Sequence, residues 1–199
     1  MKADIDLEGL EEHEIESWQE SEISKIYPLL RGGLFHRTSI EGYRGIRISG
    51  QVSPNRGQFP FTYPKSKSFL AFSRGYVSLF DFGSVRDQDC ISIYHTWGQF
   101  FFDQKPATIV LRLNRDSLSQ RLIPNSSAPK LGDPDYKGHI PYVEAWYPEP
   151  IPFEAVDGFI VTIYREPDNA SFFKEFTKAE VDQFEKLIDE IEQVWRDGV

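Results

Sequence analysis

A glutamate inside a hydrophobic segment and a histidine at a strand-to-helix junction are the side chains here whose settings point to chemistry. Glu144 lies in the run Tyr142-Val143-Glu144-Ala145-Trp146-Tyr147. Strand alternation puts Tyr142, Glu144 and Trp146 on one face, and Val143, Ala145 and Tyr147 on the other. A lone carboxylate among apolar neighbours is costly unless it is paired or wet. It therefore bonds a structural partner or lines a pocket, an exposed edge strand being the plain alternative. His36 sits in Leu34-Phe35-His36-Arg37-Thr38, which passes directly into a helix. A neutral imidazole there can hydrogen-bond a hydroxyl near pH 7. The ordinary alternative is a structural histidine bonded to a nearby carbonyl.

The common catalytic signatures are missing. The sequence holds no phosphate-binding glycine loop, no nucleophile-elbow pentapeptide and no HExxH. His13, His36, His95 and His139 lack metal-ligand spacing, so no metal site is expected. The single cysteine, Cys90, lies in Asp-Cys-Ile-Ser-Ile, which reads as buried structure rather than a nucleophile.

The elements that must position these groups follow from periodicity. Ile15, Trp18, Ile26 and Leu29 allow an amphipathic helix from Glu14 that ends near Pro28. Gly32-Gly33 then breaks the chain before the short strand Leu34–Thr38. Ser39 can cap a helix with Ile40, Tyr43, Ile46 and Ile48 on its apolar face, and Gly50 suits its C-terminus. Gln51–Lys67, rich in Pro and Gly, reads as a long loop. Ser68–Phe72 and Tyr76–Phe82 read as strands. Cys90–Tyr94 fits a strand or a buried turn, and Trp97–Phe102 a helix or a strand.

Ala107–Leu113 is the most strand-like run, followed by a helical turn over Asn114–Leu118 and a polar loop over Asn125–Gly138. Tyr142–Tyr147 and residues 159–164 supply the remaining strands, the second expected to be the last. Thr177 and Glu180 form a capping box for a closing helix with the stripe Val181, Phe184, Leu187, Ile188, Ile191 and Trp195. No regular βαβ repetition appears, so an α+β domain with two small twisted sheets is expected.

Length and composition agree with a single domain over residues 14–199, preceded by an acidic segment, 1–13, expected to be disordered. The chain is 40% hydrophobic and 15% aromatic, enough for a sizeable core. One cysteine excludes an intrachain disulfide. No apolar run reaches the roughly 18 residues of a membrane span, and the N-terminus lacks a signal-peptide core. A cytoplasmic protein with no membrane association is the expectation. Net charge is −9, distributed as −7 over residues 1–30, +4 over 31–165 and −6 over 166–199. A mildly basic centre between acidic flanks fits a pocket for an anionic ligand, or a solvated surface with no functional asymmetry.

Two segments carry a family resemblance. LFHRTSIEGYRGIRISGQVSPN resembles the first strand and helix of the ADP-ribosyltransferase-like superfamily, which often opens with His-x-Thr. IPYVEAWYPEPIPFEAVDGFIVTI resembles the region that carries that family's catalytic glutamate. The likeness spans about residues 34–164 and is to the branch with histidine on the first strand. NAD-dependent RNA 2′-phosphotransferases are a more distant likeness.

The resemblance implies split, twisted sheets with flanking helices, including a C-terminal helical extension over about 171–197. It also implies NAD as substrate and transfer of ADP-ribose to an acceptor, whether protein, nucleic acid or small molecule. Residue by residue, it makes His36 and Glu144 catalytic: His36 bonds the adenosine-side ribose, and Glu144 the nicotinamide-side ribose. Thr38 supports the first strand, Tyr76 stacks on nicotinamide with Phe80 as second choice, and Ser78 is the polar residue of the second strand. Arg37, Arg56 and Arg74 are the candidates for the diphosphate, with Arg56 and Arg74 preferred. Protein-modifying relatives have Gln or Glu two residues before the glutamate, where this chain has Tyr142. That departure leaves two readings, an active transferase and a catalytically inactive module that binds nucleotide or protein. Acceptor and oligomeric state are left open.

Overall fold

β1 (Leu34–Ser39) is anchored by the adjacent Leu34 and Phe35, one buried on each face of the sheet, and it stops where Ser39 turns the chain into a helix. The Ser39 side chain accepts the Gly42 N–H, capping α1 (Ile40–Ser49), and Gly50 ends that helix at φ +70°. The computed structural model describes residues 25–56, 69–92, 94–102, 104–131, 139–165 and 170–197. The acidic N-terminus and most of the Gln51–Lys67 loop lie outside them.

After β2 (Gln51–Val52) come α2 (Leu70–Arg74), β3 (Val77–Asp81), α3 (Asp87–Ser92) and α4 (Tyr94–Trp97). β4 (Thr108–Leu113), α5 (Arg115–Leu118), β5 (Glu144–Tyr147), β6 (Ile151–Pro152), β7 (Val156–Arg165) and β8 (Ala170–Thr177) follow. α6 (Val181–Arg196) closes the chain. The class is α+β. One six-stranded sheet runs β5-β3-β1-β4-β7-β8 with every neighbouring pair antiparallel, and β2 and β6 make a separate two-stranded ribbon.

The sheet separates two apolar layers. Leu34, Leu79, Ile109, Leu111, Ala145, Phe159 and Val161 point toward α1 and α6, where Tyr43 meets Phe184 edge-on and Phe159 stacks on Phe184 at 4.5 Å. Phe35, Phe80, Val110 and Ile160 point the other way. There Phe82, Trp97 and Phe101 make an edge-to-face aromatic cluster with Tyr27.

Several sequence expectations are corrected. Where a strand is expected over Ser68–Phe72, the described part, Leu70–Arg74, is helical, because a short apolar run has no periodicity strong enough to separate the two. Residues 159–164 belong to β7 but are not the last strand, and the helical extension does not begin at 171. β8 pairs with β7 along its whole length, with Phe173 packed on one apolar layer and Phe176 buried in the other. The capping box at Thr177 and Glu180 is present, and it opens a 3-10 turn that leads into α6. Gln51 and Val52, expected in the loop, pair with Pro152 and Ile151.

Cys90 lies in helix α3, is fully buried and accepts the Trp97 indole N–H at its carbonyl. Gly98–Phe101, within the undecided Trp97–Phe102 segment, is a 3-10 helix. The first helix runs past Pro28 to residue 30. Ile48 (88% exposed) and Trp195 (53% exposed), expected on their helices' apolar faces, are exposed, Ile48 because it lies about 200° round the helix from buried Ile46. No helix among the described residues is long and apolar enough to cross a membrane.

Candidate active site

The register of the central strands decides which predicted side chains share a surface. Residues directly opposite in antiparallel strands point to the same face. His36 stands opposite Leu111 and Thr38 opposite Ile109, both in the layer beneath α1 and α6. Arg37 stands opposite Val110, in the aromatic layer, with its guanidinium 5.5 Å from the Phe100 ring centre. On β3, Phe80 faces Glu144 and Ser78 faces Trp146. Arg37, Ser78 and Glu144 thus lie on one face of three neighbouring strands. His36 and Thr38 lie on the other.

His36 and Glu144, which the resemblance assigns to opposite riboses of one dinucleotide, therefore do not share a face of the sheet. The histidine is still coupled to the glutamate through one residue. Its Nδ1 lies 3.0 Å from the Ser78 carbonyl, and the Ser78 hydroxyl donates to Glu144 Oε1 at 2.8 Å. A carbonyl only accepts, so Nδ1 carries the proton and Nε2 keeps its lone pair. The β1–β3 ladder closes at Phe35–Phe80, and the imidazole bonds Ser78 just beyond that last pair. Thr38 is a packing residue: a Cβ on Gly42 of α1 would collide with its hydroxyl.

Burial of the imidazole, aided by the Arg37 charge and opposed by the Ser78 bond, lowers its pKa from 6.5 to about 4. The folded state therefore favours the neutral ring. The stability linked to it is fully present above pH 6.5 and is lost as the pH falls toward about 4. A His36→Gln variant, which cannot titrate, should gain on the wild type by about 1–2 kcal/mol between pH 7 and pH 5. Urea unfolding at the two pH values measures this, and a constant difference between the two proteins would show that the ring titrates normally in the fold.

Glu144 is only 3% exposed, yet three donors hold it. Oε1 accepts from Ser78 and from the Trp146 indole N–H at 3.1 Å, and Oε2 accepts the Ile140 backbone N–H at 2.7 Å. Burial pushes its pKa up, opposed by those bonds and by His139, whose ring packs edge-on against Trp146. The turn before it is unusual. Tyr142 adopts φ +64°, so the strand begins at Glu144 rather than at Tyr142 as expected. Asn125 clamps this turn: its amide donates to the carbonyls of Ile140 (3.0 Å) and Glu144 (2.9 Å), and its oxygen accepts the Tyr142 N–H (3.0 Å). A lone asparagine in a polar loop carried no signal of that role.

The remaining candidates divide. Tyr76 precedes β3 on the Ser78 face and packs, partly exposed, against a small cluster with Leu70, Ala71, Ala128 and Trp146. Phe80 is buried among Phe82, Phe100 and Phe101, so it is core and offers no ring to a ligand. Arg56 lies against Gly75, where a Cβ would come within 3.2 Å of its Nε, and so flanks Tyr76. Arg74 is tied to the Leu131 carbonyl through Nε and Nη2. Of the three arginines, Arg37 is the one that register places on the Glu144 face. Arg37, Ser78, Tyr76 and Ile140 are partly exposed and Tyr142 is exposed, so the sheet face is open at this end.

A separate depression of about 530 Å³ opens at the start of β1, lined by Arg31, Gly33, Arg112 and Arg115 among others. Each of those arginines is paired, to Asp87, Glu175 and Asp81 respectively, and none of the predicted site residues reaches it.

The chain matches no protein-family model and no curated protein. The site therefore rests on its own geometry. A carboxylate, a hydroxyl and a guanidinium on adjacent strands can bind vicinal hydroxyls and a neighbouring anionic group, and the carboxylate can steady a developing positive charge.

Proposed function

We propose that this protein is an NAD-consuming ADP-ribosyltransferase. What supports the reading is the shared face of Arg37, Ser78 and Glu144, joined by the hydrogen bond from Ser78 to the carboxylate. In this reading Glu144 accepts a hydroxyl of the nicotinamide-side ribose and stabilises the positive charge that grows on that sugar. Ser78 orients the carboxylate, Arg37 meets the diphosphate, and Tyr76 lies against the flat nicotinamide. His36 acts from the opposite face by holding the Ser78 carbonyl, which makes it a positioning residue.

The reaction breaks the bond between the ribose C1′ and the pyridinium nitrogen, and its electron pair leaves with neutral nicotinamide. The acceptor's nucleophile bonds to C1′ and its proton passes to a base. A negative charge beside C1′ interacts more strongly with the transition state than with the ground state, which is the condition for catalysis. A second reading, a module that binds NAD without turning it over, is favoured by the deep burial of Glu144 and the donors already on both its oxygens.

Nicotinamide release from NAD by the full chain, with and without added acceptors, tests the first reading, and calorimetry with NAD tests the second. Release supports the transferase. Binding with no release supports the inert module, and the absence of both binding and release overturns both readings.

A further inference from the structure

We infer that the depression at the start of β1 binds a free α-amino acid with an apolar side chain, apart from the Glu144 face. It encloses about 530 Å³ where β1 and β7 begin and β4 and β8 end, room enough for a small molecule. Each guanidinium in its lining already has a carboxylate: Arg31 has Asp87, Arg112 has Glu175 and Arg115 has Asp81. A fourth carboxylate, the exposed Asp157, lines the same depression and has no ion pair among the described residues. One negative charge is thus left over, and it calls for an ammonium. A lone phosphate would have to displace a carboxylate and strand it beside Asp157, like charge against like.

Asp157 owes its place to an irregularity of the sheet. Arg112 pairs with Gly158 and Leu113 with Val156, so Asp157 is the extra residue of a β-bulge in β7. Strand alternation would set it on the face opposite Arg112, yet both line one depression. Bulges re-aim side chains in this way, and they recur beside active sites. Arg112 crosses β7, where its opposite residue is Gly158, to bond Glu175 on β8. It holds Glu175 and the Leu29 carbonyl through Nη2 alone, with its guanidinium 5.6 Å from the Phe35 ring centre. Nε and Nη1 make no hydrogen bond among the described residues, and both are donors that suit a carboxylate. Arg112 and Asp157 stand on neighbouring strands about 4.8 Å apart, so an ammonium and a carboxylate on one carbon can reach both. Pro28 and Leu29 are the accessible apolar residues of the lining, and they suit an aliphatic side chain.

The test is an NMR titration of the full chain with L-leucine, and in parallel with N-acetyl-L-leucine, L-leucinamide and inorganic phosphate. L-Leucine should bind, and the two blocked forms should bind about tenfold more weakly, since each lacks one of the two charges. Asp157→Asn changes an exposed side chain, so it should keep the Tm while weakening L-leucine about tenfold. Should that variant lose Tm, the blocked ligands on the wild type decide alone. No binding of L-leucine, equal affinity for either blocked form, tighter binding of phosphate, or an affinity unmoved by Asp157→Asn each overturns the inference. Nicotinamide release bears on none of these outcomes, so this site and the transferase stand or fall separately.

Discussion

Replacing Glu144 with glutamine should slow nicotinamide release by about 10²–10³-fold, the loss typical when a preorganised charge is withdrawn from a transition state. Glutamine is the informative variant because it keeps the volume. With its oxygen toward Ser78 and Trp146, its amide nitrogen faces the Ile140 N–H, one donor against another. That mismatch costs about 1–3 kcal/mol, and removing a buried charge offsets part of it. Glu144→Ala strands all three donors and confuses stability with chemistry. Unchanged release by a folded Glu144→Gln protein would reduce the carboxylate to a structural role.

The same residue sets a pH dependence with two signs. Its pKa is raised by burial, so the ionised form that chemistry needs is reached only above the usual carboxylate range, and the rate should climb with pH. The fold favours the protonated acid. Stability linked to Glu144 is therefore fully present below the unfolded pKa and is lost as the pH rises through the folded one.

Asn125→Ala should cost about 2–4 kcal/mol, well beyond a typical surface change, and should also abolish most nicotinamide release. Its side chain satisfies two carbonyls and one N–H of the turn before Glu144. Without it Tyr142 has no reason to stay at positive φ, and the Ile140 N–H drifts from the carboxylate. Urea unfolding gives the first quantity and the release assay the second. A Tyr142→Gly partner should restore part of the stability of Asn125→Ala, because glycine needs no clamp at that φ. An Asn125→Ala protein as stable and active as wild type would mean that the turn is held by its neighbours alone.

How far the sequence could be read depended on whether a signal was local. Ser39 capping α1, Gly50 ending it and the Thr177/Glu180 box before α6 are local, and each is present. The faces of β5 were legible in part: Ala145 and Tyr147 enter one layer and Glu144 and Trp146 take the other, but Val143, expected beside Ala145, precedes the strand and packs in the aromatic layer. Which face of β1 meets Glu144 was not. Register between strands a hundred residues apart leaves no trace in either segment, and a one-residue shift exchanges His36 for Arg37. β8 (Ala170–Thr177) ends on the capping-box residue Thr177 itself, so the expected helical extension from about 171 overlaps a strand that no local signal marks. Asn125 and Tyr142 carry no sequence signal because the Asn125 side chain binds backbone groups, which every residue possesses, and the Tyr142 feature is a backbone angle.

The strand order bears on how the molecule comes into being. Among the described residues β1 is the earliest strand, yet it lies inside the sheet, with β3 laid on one side of it and β4 on the other. β5 joins only at the outer edge of β3, so a growing polypeptide lacks its carboxylate wall until residue 147 has left the ribosome. Among the described strands, only β7 and β8 are at once successive in the chain and neighbours in the sheet. Assembly that waits on such distant partners is slow, and the edge that carries Glu144 is among the parts that must wait.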